Sequence, residues 1–166
     1  LSDSVGIFDK NLDYGEIHGS DRLKKAIMSI YTNQKTDNIT VTHGAIGANQ
    51  LVFESLLEKG DEVLCFLPIY QQHYSVPKSL GAKVNFLYLR EENNWLPNLN
   101  ELEKTLNGRT KLICINSPNN PTGSVYSKEE IEQIAVVAEK KGIYVISDEI
   151  YEKLVYSGEK HYSIAK

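Results

Sequence analysis

The sequence is short of several things, and each shortage closes off a class of protein. It has only two cysteines, Cys65 and Cys114, in 166 residues. Both lie in apolar runs, Val63–Leu67 and Leu112–Ile115, so they read as buried free thiols of a cytosolic protein rather than a disulfide framework. No apolar stretch reaches the roughly 18 residues that a membrane span requires, and no secretory leader pattern is visible. Positive charge is not in excess: 18 Lys and Arg stand against 22 Asp and Glu, a net charge of −4. A basic nucleic-acid surface is therefore not expected. The four histidines, at 18, 43, 73 and 161, show no metal-ligand spacing with the cysteines. Gly-x-Ser-x-Gly, Gly-x-x-x-x-Gly-Lys-Ser/Thr and Gly-x-Gly-x-x-Gly are all absent, as are internal repeats and low-complexity tracts.

What remains is an ordinary globular composition, 41% hydrophobic and 24% charged, long enough for one domain with a real core. The chain alternates helical and strand periodicities. Ser20-Asp21-Arg22-Leu23 opens a helix with Leu23, Ile27, Ile30 and Tyr31 on one face. Residues 38–42 are β-branched and read as a short strand. Residues 45–57 read as a helix, 62–67 as a buried strand, and 71–80 as a helix that Pro77 should kink or shorten. Residues 83–89 form a strand, 93–98 a polar connection, 99–106 a short helix and 111–116 a strand. Ser127 and Glu130 make a capping box for a helix to Lys141, and 143–147 is a last apolar strand. The later strands are apolar on both faces. This predicts an α/β fold: a three-layer α/β/α sandwich with a mostly parallel sheet.

Ligands in such sheets bind beyond the carboxyl ends of the strands. Four loops at such ends carry unusual chemistry. Residues 42–49, "THGAIGAN", put small residues at a strand-to-helix turn, where free N–H groups suit a phosphate. Tight packing of helix on sheet would use the same residues. Pro68-Ile69-Tyr70 offers an aromatic plate. "SPNNPTG", residues 117–123, has more special residues than a turn needs, and a cis Asn120–Pro121 peptide would let Asn120 face a pocket as the chain turns. Ser147-Asp148-Glu149-Ile150-Tyr151 sets a carboxylate just past a buried strand, with a phenol three residues on. A helix cap or a surface turn could hold that acid equally well; its co-occurrence with the other loops favours a site.

"YGEIHGSDRLKKAI", "VTHGAIGANQ", "GDEVLCFLPIYQQHY", "SPNNPTG" and "VISDEIYEKLVY" stand in an order and spacing that resemble the class I/II aminotransferases, pyridoxal-5′-phosphate enzymes of fold type I. The resemblance spans nearly the whole chain. It implies that Asp148 pairs with the pyridine nitrogen of pyridoxal 5′-phosphate, and that Asn120 and Tyr151 hydrogen-bond the ring's phenolic oxygen. It implies that Tyr70 stacks on the ring, where many relatives have Trp, and that the backbone N–H groups of Ala45 and Ile46 hold the phosphate. Tyr14 resembles a tyrosine that reaches a neighbouring subunit's phosphate, which implies a homodimer. The implied substrates are an amino acid and a 2-oxo acid. The family's Schiff-base lysine is expected beyond the Asp148 motif, and Lys166, which follows Ser163-Ile164-Ala165, does not match it. On this reading residues 1–166 are part of the cofactor-binding large domain, with the rest of that domain and the small domain outside the chain. The chain alone is then expected to be inactive. Other chemistries share the same cradle, among them C–S lyases, decarboxylases and carbon–carbon bond-forming synthases. A ligand-sensing domain of a transcriptional regulator and a non-catalytic interaction fragment are further alternatives.

Overall fold

A computed structural model describes residues 11, 13–32, 34–156 and 158–165. The chain divides into two compact units, Leu1–Thr42 and His43–Lys166. In the first unit, helix α1 (Asp21–Met28) starts at Ser20, whose side chain accepts a hydrogen bond from the Leu23 N–H. Its apolar residue Leu23, and Ile30 just beyond its end, stay nearly half exposed. Residues 38–42 do not form the expected strand. Thr36–Asn38 is one turn of 3₁₀ helix, Ile39 is extended, and 39–42 carries no regular structure. β-branched residues favour an extended backbone, but a strand also requires a ladder; the Val41 N–H donates to the His18 carbonyl at 3.1 Å, yet no described strand forms a ladder with this segment.

The second unit carries a sheet of four parallel strands in the order β2-β1-β3-β4. These are β1 (Glu62–Leu67), β2 (Lys83–Tyr88), β3 (Thr110–Asn116) and β4 (Tyr144–Asp148). The helices are α2 (Gly44–Leu56), α3 (Gln72–Ser79), α4 (Leu99–Thr105) and α5 (Lys128–Lys141). Strand alternation sends β1 and β3 side chains to two separate cores. Val63, Cys65, Leu112 and Cys114 pack with Phe53 of α2 and Val76 of α3. Leu64, Phe66, Ile113 and Ile115 pack with Leu102 of α4 and with Ile131, Ile134 and Ala138 of α5. The expected three layers follow directly. Each fully buried aliphatic side chain contributes about 1.5–3 kcal/mol, which is why β3, buried on both faces, tolerates no polar residue between Leu112 and Ile115.

Local signals fix where the helices begin and end. The Ser127–Glu130 capping box forms, with the Ser127 N–H donating to Glu130 Oε2 at 2.7 Å. Pro77 lies inside α3, which runs on past it to Ser79. It has no N–H to give the His73 carbonyl, and the Cys65 thiol donates there instead, at 3.2 Å.

The opposite, amino-terminal edge of the sheet has its own polar cluster. Glu62 is almost wholly buried, and its carboxylate accepts from the side-chain amides of Asn85 and Asn107, both at 2.7 Å. Arg109 at 3.1 Å and Lys83 at 3.4 Å complete it. The hydrogen bonds from Asn107 and Asn85, aided by Lys83, overcome the cost of burial and bring the Glu62 pKa down to about 2.

Candidate cofactor site

β2 lies on one side of β1 and β3 on the other, so the winding of the sheet reverses between β1 and β3. Crevices form at the carboxyl ends of strands at such a reversal. A cavity of about 300 Å³ lies there. Ala45, Ile46 and Asn49 of α2, Tyr70 after β1, Asn116 and Asn120 at the end of β3, and Asp148, Ile150 and Tyr151 at the end of β4 line it. Six of the seven residues singled out from sequence therefore surround one cavity. The seventh, Tyr14, belongs to the other unit, and its side chain is fully exposed. Lys166 lies outside the described residues.

Each wall has a local cause. Gly44 takes φ +72°, a conformation that side chains resist, and turns the chain into α2. His43 gives α2 no side-chain cap. The first N–H groups of a helix have no intrahelical acceptor, so those of Ala45 and Ile46 are available to an anion, with the positive end of the helix dipole behind them.

The two asparagines of 117–123 divide the work. Asn119 folds the loop: its side-chain oxygen accepts from the Thr122 N–H at 3.1 Å and the Thr122 hydroxyl at 2.8 Å, and its amide donates to the Pro68 carbonyl at 3.2 Å. Asn120 is held by its backbone alone, its N–H donating to Asn116 Oδ1 at 2.7 Å. The Asn120 side-chain amide makes no hydrogen bond to any described residue and borders the cavity. The Asn120–Pro121 peptide is cis, as expected, and so are Leu67–Pro68 and Ser117–Pro118. Asn116 also donates to the Asp148 carbonyl at 2.9 Å, which ties the ends of β3 and β4 together.

Asp148 is the best-supported group in the cavity. It is only 8% exposed. Its Oδ2 accepts from Asn49 Nδ2 at 3.0 Å and faces His73 Nε2 at 3.1 Å, while Oδ1 accepts from the Ile150 N–H at 3.2 Å. Burial pushes its pKa up, but the hydrogen bonds from His73 and Asn49, the attraction of His73 and the Ile150 N–H together outweigh that. The net direction is down, so the acid is held as a carboxylate. His73 itself is wholly buried, edge-on to the rings of Tyr70 and Phe53. Because a carboxylate only accepts, the proton in the contact sits on His73 Nε2. Asn49 also donates to Gln72 Oε1 at 3.2 Å, and Gln72 donates to the Ile46 carbonyl at 2.7 Å, which fastens α3 to the start of α2.

Sequence reasoning missed Asn49, Gln72 and His73. Asn49 and His73 stand 99 and 75 residues from Asp148. The one available signal was a buried polar trio inside apolar-periodic helices, and such residues need partners wherever they lie. Among the described residues no group of three His, Cys, Asp or Glu side chains could hold a metal, and no helix is long and apolar enough to cross a membrane.

A crevice at the switch point, a carboxylate kept charged within it and a helix N-terminus on its wall are features that α/β sheets present where they bind ligands. The family profile "Aminotransferase class I and II" matches residues 2–166, and the chain belongs to that family. The aspartate aminotransferase of Pyrococcus horikoshii is 40% identical, over 93% of this chain and 42% of its own length. Human kynurenine–oxoglutarate transaminase 3 is 34% identical, over 97% of this chain and 39% of its own length. A PLP-dependent aminotransferase from Streptococcus suis superposes with a TM-score of 0.88 at 44% identity, covering 93% of this chain and 41% of that one. The chain thus spans about two fifths of the length of the relatives it matches.

Proposed function

We infer that residues 1–166 form part of the pyridoxal-phosphate-binding large domain of an aminotransferase. The whole protein would transfer an amino group between an amino acid and a 2-oxo acid. The observation that carries this is Asp148: a buried carboxylate, kept charged by three donors, in a cavity that also meets a helix N-terminus. The residues present fit the cofactor. A cationic ring nitrogen matches the Asp148 carboxylate, a phosphate matches the N–H groups of Ala45 and Ile46, and a phenolic oxygen matches the unbonded amide of Asn120 with the Tyr151 hydroxyl.

Bound pyridoxal phosphate supplies a ring that draws electron density from the α-carbon of an amino acid. The chain's part is to tune and hold that ring. Asp148 would keep a proton on the ring nitrogen, with His73 and Asn49 preventing the carboxylate from turning away. Asn120 and Tyr151 would donate to the phenolic oxygen, Tyr70 would cover a ring face, and Ala45 and Ile46 would fix the phosphate. None of the described residues lining the cavity is a lysine, so the hold that those residues offer is non-covalent. Tyr14 is exposed as a residue that reaches a second subunit would be, which supports a homodimer with shared sites. The two reduced, buried cysteines suit a cytosolic protein.

Pyridoxamine 5′-phosphate is the appropriate probe, because it lacks the aldehyde that would react with surface lysines. Calorimetric titration of the chain should give one saturable site, weakened at least about ten-fold in Asp148→Asn and again by omission of the phosphate. Equal binding of pyridoxamine with and without its phosphate, or binding untouched by Asp148→Asn, would overturn this reading.

A further inference from the structure

Asp148 and Glu149 are consecutive, so they leave the end of β4 towards opposite faces of the sheet. Asp148 meets a buried histidine on the α2/α3 side. Glu149 does the same on the other side, where Val145 also points. Glu149 Oε2 lies 3.2 Å from His161 Nε2, and Oε1 accepts from the Ser147 hydroxyl at 2.8 Å. The His161 side chain is 6% exposed and that of Glu149 13%. This is not a nucleophile triad. The carboxylate sits between the hydroxyl and the imidazole, so no base faces the Ser147 oxygen.

The pair spans the turn that carries Tyr151. That turn has two backbone hydrogen bonds of its own, from the Glu152 N–H to the Glu149 carbonyl at 2.9 Å and from the Leu154 N–H to the Tyr151 carbonyl at 2.8 Å. Apolar burial does not hold it: Ile150, Leu154 and Tyr156 are all more than half exposed. Beyond it the described residues have no regular secondary structure, yet the chain returns to the domain at His161, at the buried Ser163 and at Ile164, which packs on the α4/α5 core. His161 is thus the polar contact that joins the far side of the excursion to the residue beside Asp148.

We propose that His161 and Glu149 form a latch that positions Tyr151, and is the counterpart of the His73 brace on Asp148. The latch rests on the cofactor reading for its purpose but not for its existence. Neither residue lines the cavity, so both act through Tyr151 as positioning residues. His161 Nδ1 is buried without a partner, so among the described residues the ring's only hydrogen bond is the one to Glu149. Loss of Glu149 leaves the His161 ring without a hydrogen bond to any described residue, and loss of His161 leaves Glu149 with the Ser147 hydroxyl alone.

The test uses the 166-residue chain labelled with 3-fluorotyrosine, the Tyr151 resonance being assigned by its disappearance in Tyr151→Phe. In His161→Ala and Glu149→Ala this resonance should move towards its position in denatured chain, while those of buried tyrosines such as Tyr126 stay. His161→Gln, whose amide can donate to Glu149, should largely restore it and covers the case in which the alanine variant does not fold. Pyridoxamine phosphate affinity should fall about ten-fold in His161→Ala, and should fall no further when Tyr151→Phe is already present. An unmoved Tyr151 signal in both variants overturns the latch, whatever the cofactor result. Additive losses in the double variant overturn its action through Tyr151. If the wild-type chain binds no pyridoxamine phosphate, the cofactor reading fails, and the fluorine spectra alone decide the latch.

Discussion

Replacing Asp148 with asparagine separates the roles of charge and shape in the cavity. Three donors converge on the carboxylate: Asn49 and His73 on Oδ2, and the Ile150 N–H on Oδ1. An asparagine must turn its NH₂ towards one set. Facing Asn49 and His73, it would set donors against donors in a place only 8% exposed. The cheaper orientation keeps the oxygen on Asn49 and His73 and sets the NH₂ against the Ile150 N–H. That loses one backbone hydrogen bond and the charge assistance of two others, worth about 1–3 kcal/mol together after the gain from not burying a charge. The urea midpoint at pH 7 should fall accordingly. Its pH dependence is sharper evidence. The folded pKa of Asp148 lies below its unfolded value of about 3.9. The carboxylate's contribution is therefore complete above that value and is lost as pH falls through the folded pKa. The stability gap between wild type and Asp148→Asn should be level above about pH 5 and close below about pH 4. In the whole protein the same change should cut turnover by roughly two to four orders of magnitude with folding intact, since a ring nitrogen without its anion no longer holds a proton. An equal gap at pH 2.5 and pH 7, or near-normal turnover with cofactor bound, would refute the assignment of a charged Asp148.

Glu62→Gln should lower the urea midpoint at neutral pH but leave it nearly unchanged at pH 2. The depressed pKa means that the Glu62 contribution is present above about pH 4.5 and disappears on acidification towards about 2; equal effects at both pH values would contradict this. Gly19→Ala should destabilise by about 1–3 kcal/mol in thermal unfolding, because Gly19 has φ +88° and an added Cβ would collide with the Val41 side chain. A neutral effect would mean that residues 18–41 repack freely. Pyridoxal phosphate mixed with the chain and reduced with borohydride should leave no stoichiometric adduct at one lysine, judged by intact mass, and the mixture should transaminate no amino acid. A single-site adduct with turnover would identify an anchoring lysine within the chain, Lys166 included.

The order of strands and helices was legible in the sequence because each element bears its own period. β3 is apolar at every position from Leu112 to Ile115 since both of its faces are covered, and α5 announces its start through Ser127 and Glu130. The loops of the cavity were legible too, because Gly44, Asn120 with Pro121, and Asp148 are costly residues for a simple turn. Tertiary structure alone decided the rest. Residues 38–42 have the composition of a strand, but a ladder belongs to two segments, and composition describes only one. That Asp148 is held charged depends on Asn49 and His73, and that Glu62 is tolerated in the sheet depends on Asn85, Asn107 and Arg109. His161 becomes the partner of Glu149 only when the chain beyond Tyr151 folds back. A polar residue's demand for a partner is written at its own position; which residue meets that demand is settled by packing, which brings together groups that share no period and no proximity along the chain.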